Sequence, residues 1–210
     1  MVKIIEEKVN KKLRISNYIF SLLMISATIG FIIYYLITDN TFQVTRNLSV
    51  IALAPLIYVL ELIFKRRVSD FVLTFYNIYI FLGSFLGTVI NFYLILPHYD
   101  DFMHTLFGYV GCIIGLYILI KLSNYKNMSM IFVMIMTMFV SMGCASFWKI
   151  GEYFCDKVFG ASAQGGLDDT MWDIIDTLIG SIVFQIHFLI HKNTDKNLIM
   201  GNIIEDFSNN

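Results

Sequence analysis

The chain has 210 residues, of which 57% are hydrophobic and 15% charged, and its formal net charge is -1. A soluble domain of this size carries more charge, and a balance this close to neutral gives no basis for binding nucleic acid. We therefore expect lipid to be the solvent, in which a hydrocarbon core of roughly 30 Å needs helical runs of about 20 apolar residues.

The first 16 residues are rich in charged side chains, and we expect them to form a cytoplasmic N-terminal segment. The apolar run that follows is longer than the core of a signal peptide and lacks a clear A-x-A cleavage site. We therefore predict that this run is retained as the first transmembrane helix.

In chain order, apolar runs of the required length predict six transmembrane helices, and their length excludes the short alternating strands of a membrane barrel. The predicted fold class is thus all-α, a polytopic transmembrane helix bundle. We expect one domain over residues 17–191 and a cytoplasmic tail over residues 192–210. The predicted helices span residues 17–38, 47–64, 71–96, 103–120, 128–153 and 172–191, and Pro97 ends the third.

The positions of Lys and Arg predict the orientation, because cytoplasmic loops hold an excess of these residues. Twelve of the 15 lie in the N-terminal segment, the second and fourth loops and the tail. We therefore expect both termini to be cytoplasmic. The twelve are Lys3, Lys8, Lys11, Lys12, Arg14, Lys65, Arg66, Arg67, Lys121, Lys126, Lys192 and Lys196.

Small residues within the predicted helices indicate close packing. Gly83 and Gly87 lie four residues apart in the third helix, and Gly111 and Gly115 do so in the fourth. This small-xxx-small spacing lets helix backbones approach closely.

Polar residues within the predicted helices indicate pairing. Glu61 precedes Lys65 by one turn, which predicts an i,i+4 ion pair at the end of the second helix. Asn77 and Asn91 lie within the predicted third helix, where we expect hydrogen bonds to neighbouring helices.

The most informative residues lie in two stretches that the charge distribution predicts to be on the non-cytoplasmic side. The first, residues 97–109, reads PHYDDFMHTLFGY. Asp100 and His104 are four residues apart, so they share a face once the fourth helix begins. Gly108 lies one turn further along that face.

The second stretch joins the predicted fifth and sixth helices and carries Glu152 near the outer end of the fifth. On the sixth helix, Asp169, Asp173 and Asp176 fall within about 40° of one line at 3.6 residues per turn. Asp169 at the helix start suits the helix dipole. Asp173 and Asp176 lie deeper, where an unpaired charge costs at least a few kcal/mol and acids are usually functional or paired.

Carboxylates this close need a partner, because like charges disfavour one another's ionisation. The partner is a proton, a cationic side chain such as Lys149, or a divalent metal. Asp169 pairs better with Asp173 than with Asp176, from which a rise of about 1.5 Å per residue separates it by roughly 10 Å. The predicted ligands for Zn, Mn, Mg or Fe are Asp100, His104, Glu152, Asp169 and Asp173. The alternative is a buried network of ion pairs and hydrogen bonds that locks the bundle.

Three ordered motifs occupy roughly the second half of the chain: Asp100-x3-His104-x3-Gly108, Trp148-x3-Glu152, and Gln164-Gly165-x3-Asp169-x3-Asp173-x6-Gly180. This pattern resembles the YjdF-like family of uncharacterised bacterial inner-membrane proteins. The resemblance implies a small polytopic protein whose polar motifs face one another at one membrane face, and it brings no established reaction. Lys149 and Gly166 stand where the family often has acids, which favours the ion-pair network.

Three functions fit these residues, and membrane lipids are the expected partners in each. The first is metal-assisted hydrolysis or transfer on a lipid or lipid-linked headgroup in a bacterial inner membrane, with Glu152 or His104 as base. The second is ion- or proton-coupled transport through Asp173 and Asp176. The third is a non-catalytic role as a homo-oligomer or as a membrane protein partner.

Overall fold

The computed structural model describes residues 2–65, 67–123, 125–160, 163–194 and 199–209. Arg66 and Lys196, two of the cations used for the orientation, lie outside this part of the chain. Every regular element within it is a helix, which confirms the all-α prediction. The α-helices are α1 (Val2–Ile37), α2 (Thr41–Phe64), α3 (Asp70–Ile80), α4 (Phe92–Ile95), α5 (Tyr99–Leu122), α6 (Met130–Phe159), α7 (Leu167–Thr194) and α8 (Ile199–Asn209).

Six helical ranges are long and apolar enough to cross a membrane, as predicted. The helices extend beyond the apolar runs into the polar residues that flank them. As a result α5 begins at Tyr99 and α7 at Leu167, so Asp100 and Asp169 lie in first helical turns. The six ranges are Lys12–Ile37, Arg46–Phe64, Asp70–Val89, Tyr99–Leu122, Met130–Val158 and Leu167–Thr194.

The third predicted helix differs from a single continuous one. α3 continues as wider π-helical turns over Phe81–Val89, and the chain then breaks at Asn91, which has a left-handed φ of 68°. α4 follows as one short turn. Gly87 permits this fold-back, because a Cβ at that position would overlap the ring of Tyr93. The break also lets the Asn91 amide oxygen accept hydrogen bonds from the side chains of Gln43 and Arg46.

The chain divides into two compact units, residues 1–97 and residues 98–209. The first unit holds α1 to α4 and the second holds α5 to α8, so each contains three of the apolar spans. The single domain expected over residues 17–191 stays a prediction. The apolar core of the first unit is built from Met24, Val50, Ala54, Ile80 and Val89.

A buried arginine joins three helices of the first unit. Arg14 on α1 donates from Nη1 to both carboxylate oxygens of Glu61 on α2, at 2.9 and 3.0 Å, and its Nε contacts Asp70 on α3. Glu61 also accepts the backbone N–H of Val68 at 2.6 Å. The predicted pair of Glu61 with Lys65 is therefore wrong. Lys65 ends α2 in a left-handed conformation with φ 51°, which turns it off the helical path.

The polar role predicted for Asn77 is confirmed. Its Nδ2 donates to the backbone oxygen of Asn17 on α1 at 3.2 Å and to the Tyr58 hydroxyl on α2 at 2.8 Å. Asn77 is buried, and hydrogen bonds of this kind between helices stabilise membrane bundles. The asparagine thus ties α3 to both of its neighbours.

In the second unit α5 packs against α7 through two glycines. A Cβ at Gly108 would overlap the backbone oxygen of Thr177, and a Cβ at Gly180 would overlap that of Thr105. Only glycine allows backbones to meet this closely. This reciprocal contact fixes the register of α5 against α7.

α6 packs against the same face of α5. A Cβ at Gly111 would lie 2.7 Å from the Ser141 hydroxyl oxygen, and a Cβ at Gly115 would lie 3.0 Å from the Cα of Thr137. The Ser141 hydroxyl donates to the backbone oxygen of Gly108 at 2.9 Å. The close packing predicted for Gly111 and Gly115 is confirmed.

α8 falls in the segment predicted only as a tail. Met200, Ile203 and Phe207 on it are fully buried, and the Phe207 ring lies 5.0 Å from that of Tyr117 on α5. Apolar residues spaced three and four apart mark an amphipathic helix. The spacing of these three residues is therefore a signal that predicts α8 from the sequence.

Candidate functional site

The helix register set by Gly108 and Gly180 brings two motif residues together. His104 lies one turn before Gly108 on α5, and Asp173 lies one turn before Thr177 on α7. Since Gly108 and Thr177 are in contact, His104 and Asp173 face each other one turn closer to the helix starts. The site is therefore a consequence of the glycine packing.

Three side chains form what we call the acid–histidine cluster: Asp100, His104 and Asp173. The His104 Nε2 atom lies 3.4 Å from Oδ1 of Asp173 and 3.6 Å from Oδ1 of Asp100. One ligand atom from each residue lies within 4.8 Å of the other two. The sequence predicted these three residues as metal ligands, and the structure brings them together.

Lys149 on α6 connects the cluster to a second acid. Its ammonium contacts Oδ2 of Asp173 and lies 2.6 Å from Oε2 of Glu152. The Trp148 indole N–H donates to the other Glu152 oxygen at 2.7 Å. Both oxygens of Glu152 are thus engaged, and Lys149 stands between Glu152 and the cluster.

The cluster is closed toward the bundle and open toward the helix starts. Asp173 is 2% exposed and Lys149 is 7% exposed. By contrast, the side chains of His104 and Asp100 are 13% and 45% exposed. A ligand therefore reaches the cluster from the side of Asp100.

The two separations measured from His104 are longer than those of direct hydrogen bonds. A charge-assisted N–H to carboxylate hydrogen bond spans roughly 2.7–2.9 Å, which is shorter than the 3.4 and 3.6 Å measured from His104. Two ligand atoms bound to one tetrahedral zinc at about 2.0–2.1 Å lie roughly 3.4 Å apart. One imidazole nitrogen and two carboxylate oxygens are also a ligand set that Zn and Mn accept.

Residues 19–194 match the family described as "Predicted membrane protein (DUF2238)". The chain belongs to this family. This agrees with the resemblance to an uncharacterised membrane family inferred from the motifs. Together with the six apolar spans, the match identifies a multi-pass membrane protein.

The name of a similar bacterial protein gives no activity either. An uncharacterised protein of Thermotoga maritima is 28% identical over 124 residues, covering 59% of this chain. The matched region spans only 64% of the length of that relative. No solved structure matches the chain.

Two of the predicted metal-ligating residues, Glu152 and Asp169, are not part of the acid–histidine cluster. Glu152 is held by Trp148 and Lys149, as described above. Asp169 lies in the first turn of α7, where a Cβ at Gly165 would overlap its carboxylate. Gly165 also has a φ of 66°, a left-handed backbone conformation that favours glycine. The metal-ligand roles of Glu152 and Asp169 stay predictions.

The loop between α6 and α7 is held by an acid that the sequence reasoning missed. Asp156 accepts the backbone N–H groups of Ala163 at 2.7 Å and Gln164 at 3.0 Å. Asp156 lies four residues after Glu152, so it shares a helix face with a motif residue. That spacing is the signal that points to Asp156.

Both tryptophans of the chain flank the site. Trp148 and Trp172 directly precede Lys149 and Asp173 in the sequence. They are 50% and 61% exposed, on helices that cross the membrane. Tryptophan is enriched at the level of the lipid headgroups. A tryptophan next to Lys149 and another next to Asp173 therefore favour a site near the membrane–water interface.

Proposed function

We propose that this membrane protein binds a divalent cation through Asp100, His104 and Asp173 and uses it for hydrolysis or transfer of a lipid or lipid-linked headgroup. The observation that carries the proposal is the spacing of the cluster, 3.4 and 3.6 Å from His104 Nε2 to the two carboxylate oxygens. This spacing matches that of ligands on one metal ion.

The charge of the site supports a divalent occupant. Asp100, Asp173 and Glu152 carry three formal negative charges and Lys149 carries one positive charge, which leaves a formal charge of -2 when His104 is neutral. Buried charges need compensation by pairing or by a metal. A divalent cation neutralises this sum, and the imidazole favours Zn or Mn over Mg.

Each side chain has a distinct task in the proposed site. Oδ1 of Asp173 faces His104 while Oδ2 faces Lys149, so Lys149 orients the carboxylate without occupying the oxygen nearest the imidazole. Glu152 in turn holds Lys149 and acts as a positioning residue. A divalent metal held by Asp100, His104 and Asp173 would supply a Lewis acid that activates water for hydrolysis.

The depth of the cluster supports a headgroup as substrate. Tryptophan is enriched where phosphate and glycerol groups are found, so Trp148 and Trp172 support a substrate at that depth, and the exposed Asp100 side chain supports an entrance there. The bacterial relative supports a bacterial cell membrane as the location. The distribution of Lys and Arg supports the non-cytoplasmic face for the site.

Carrier activity through Asp173 and Asp176 has less support. Below Asp173, the hydroxyls of Thr177 and Ser181 donate to backbone oxygens of their own helix at 2.8 and 2.9 Å. Gly108 closes the space beside Thr177 with backbone. The two hydroxyls that follow Asp173 along α7 are therefore already engaged in hydrogen bonds.

Lipid turnover tests the proposal. The purified chain, reconstituted in liposomes of bacterial lipid extract, is treated with EDTA and then supplied with Zn²⁺ or Mn²⁺, and lipid species are followed by mass spectrometry. We expect metal-dependent headgroup loss that falls at least about a hundredfold in Asp173→Asn. Asp168→Asn, which removes an exposed acid from the same helix, should retain it. Turnover that is equal in both variants, or absent with every metal, contradicts the proposed activity.

A further inference from the structure

The first unit contains an open surface pocket at the end of its helices, lined by none of the residues of the proposed metal site. Its volume is about 410 Å³, within the range of roughly 300–1,000 Å³ typical of sites for small ligands. We call it the Arg14 cavity. It is lined by Arg14, Tyr18, Glu61, Leu62, Lys65 and Arg67.

The lining of the Arg14 cavity is cationic. Glu61 is the only acid among the lining residues that the structure describes, and its carboxylate is already paired with Arg14 and with the Val68 N–H. Lys65 is exposed and forms no ion pair with any residue that the structure describes. The Arg67 side chain is 64% exposed and reaches Asp70 only at 3.6 Å. Two exposed cations thus stand at the rim, and one of them, Arg67, is in a long ion pair with Asp70.

The Arg14 cavity lies at the membrane interface and beside lipid-facing surface. The span Lys12–Ile37 begins, the span Arg46–Phe64 ends and the span Asp70–Val89 begins at this level. Leu62 in the wall is 77% exposed, and Phe64 next to it is 68% exposed. A ligand with a charged head and apolar chains meets matching chemistry here.

We propose that the Arg14 cavity binds the phosphate of an anionic phospholipid, with Lys65 and Arg67 as its cationic partners. The paired Arg14 and Glu61 form a rigid floor, and the acyl chains follow the apolar surface at Leu62. Cations near a membrane surface attract anionic lipid in this way. The site is separate from the acid–histidine cluster, so neither proposal depends on the other.

Lipid retention tests the site. The full chain in detergent is mixed with equal amounts of phosphatidylglycerol and phosphatidylcholine, and bound lipid is counted by native mass spectrometry. We expect the wild type to retain phosphatidylglycerol selectively. Each cation removed should weaken this retention about fivefold, so Lys65→Gln/Arg67→Gln should weaken it about 25-fold. Lys121→Gln, which removes an exposed cation from the end of α5, should change it less than twofold.

Other outcomes overturn the proposal. Equal retention of the two lipids by the wild type, or equal loss in Lys65→Gln/Arg67→Gln and Lys121→Gln, excludes a specific site at the cavity. Competition by millimolar inorganic phosphate that removes the bound lipid assigns the cavity to free anions instead. A folded double variant is verified by an unchanged elution profile, and the single variants Lys65→Gln and Arg67→Gln replace it if that profile changes.

Discussion

At the scale of single residues, Asp173 has the most demanding position. It is 2% exposed, and its two oxygens face different partners, His104 on one side and Lys149 on the other. An uncompensated charge at such a depth costs several kcal/mol. Lys149 supplies one compensating charge, and the proposed metal supplies a second. The two compensations make separable predictions.

Removing the Lys149 ammonium should make the stability of the protein depend on bound metal. In Lys149→Met, the carboxylates of Asp173 and Glu152 lose their shared cation, and we expect a loss of about 3 kcal/mol in EDTA. Bound Zn²⁺ still compensates Asp173, so the loss should shrink by at least about 1 kcal/mol when Zn²⁺ is present. Thermal melting in detergent with and without Zn²⁺ measures both values.

The matched control is Lys157→Met, which removes an exposed lysine from the same helix. It should change the melting temperature little and equally in both conditions. If Lys149→Met loses the same amount of stability with Zn²⁺ as with EDTA, then Zn²⁺ does not replace Lys149 as the charge that compensates Asp173. The ion-pair network then explains the site without a metal.

Sequence spacing placed the right residues on each helix but did not show which of them meet. The i,i+4 relation of Asp100 and His104 follows from the sequence, whereas the contact of His104 with Asp173 depends on the register of two helices. Glu61 gives the opposite case. Its partner is Arg14, 47 residues away, because Lys65 leaves the helical path and a buried guanidinium offers more donors.

At the scale of elements, the contact between α5 and α7 positions the cluster. Gly108 and Gly180 allow the two backbones to touch, and the cluster lies one turn away. The sequence predicts the type of every long helix, but not the π-helical turns over Phe81–Val89 or the break at Asn91. Those features depend on how Tyr93 packs on Gly87, which no local pattern contains.

Separating α5 from α7 at Gly108 should weaken metal binding at the acid–histidine cluster, one helical turn away. Gly108→Ala adds a methyl group where the Thr177 oxygen lies, so the helices must separate. We expect a loss of about 1–3 kcal/mol in stability. We also expect at least tenfold weaker Zn²⁺ binding by calorimetry, since His104 moves away from Asp173.

Gly143→Ala is the control, because nothing lies within 4 Å of a Cβ at that position on α6. Alanine is a better helix former than glycine by about 1 kcal/mol, so this variant should be neutral or slightly more stable. Unchanged Zn²⁺ binding in a destabilised Gly108→Ala would show that the α5–α7 register does not position the ligands.

At the scale of the whole molecule, each compact unit contributes three spans, and the family match over residues 19–194 includes all or most of each span. The number of spans was predictable because lipid requires long apolar runs. The division into two units was not, since it depends on which helices pack together. An even number of crossings would return the chain to the side of the membrane from which it started.

Reporter fusions test the orientation. Alkaline phosphatase fused after residue 160 should be active, and the same enzyme fused after residue 194 should be inactive. Green fluorescent protein should give the reverse pattern, because the excess of Lys and Arg predicts cytoplasmic termini. Active phosphatase after residue 194 instead reverses the orientation and moves the cluster to the cytoplasmic face.

The metal content of the purified protein is the most direct test of the central proposal. After incubation with Zn²⁺ or Mn²⁺ and desalting, elemental mass spectrometry should find about one equivalent per chain in the wild type and in Asp168→Asn. Asp173→Asn and His104→Gln should each retain less than about a tenth of that amount. A wild type with no more metal than these two variants contradicts a metal site and leaves the Lys149 ion-pair network as the account of the cluster.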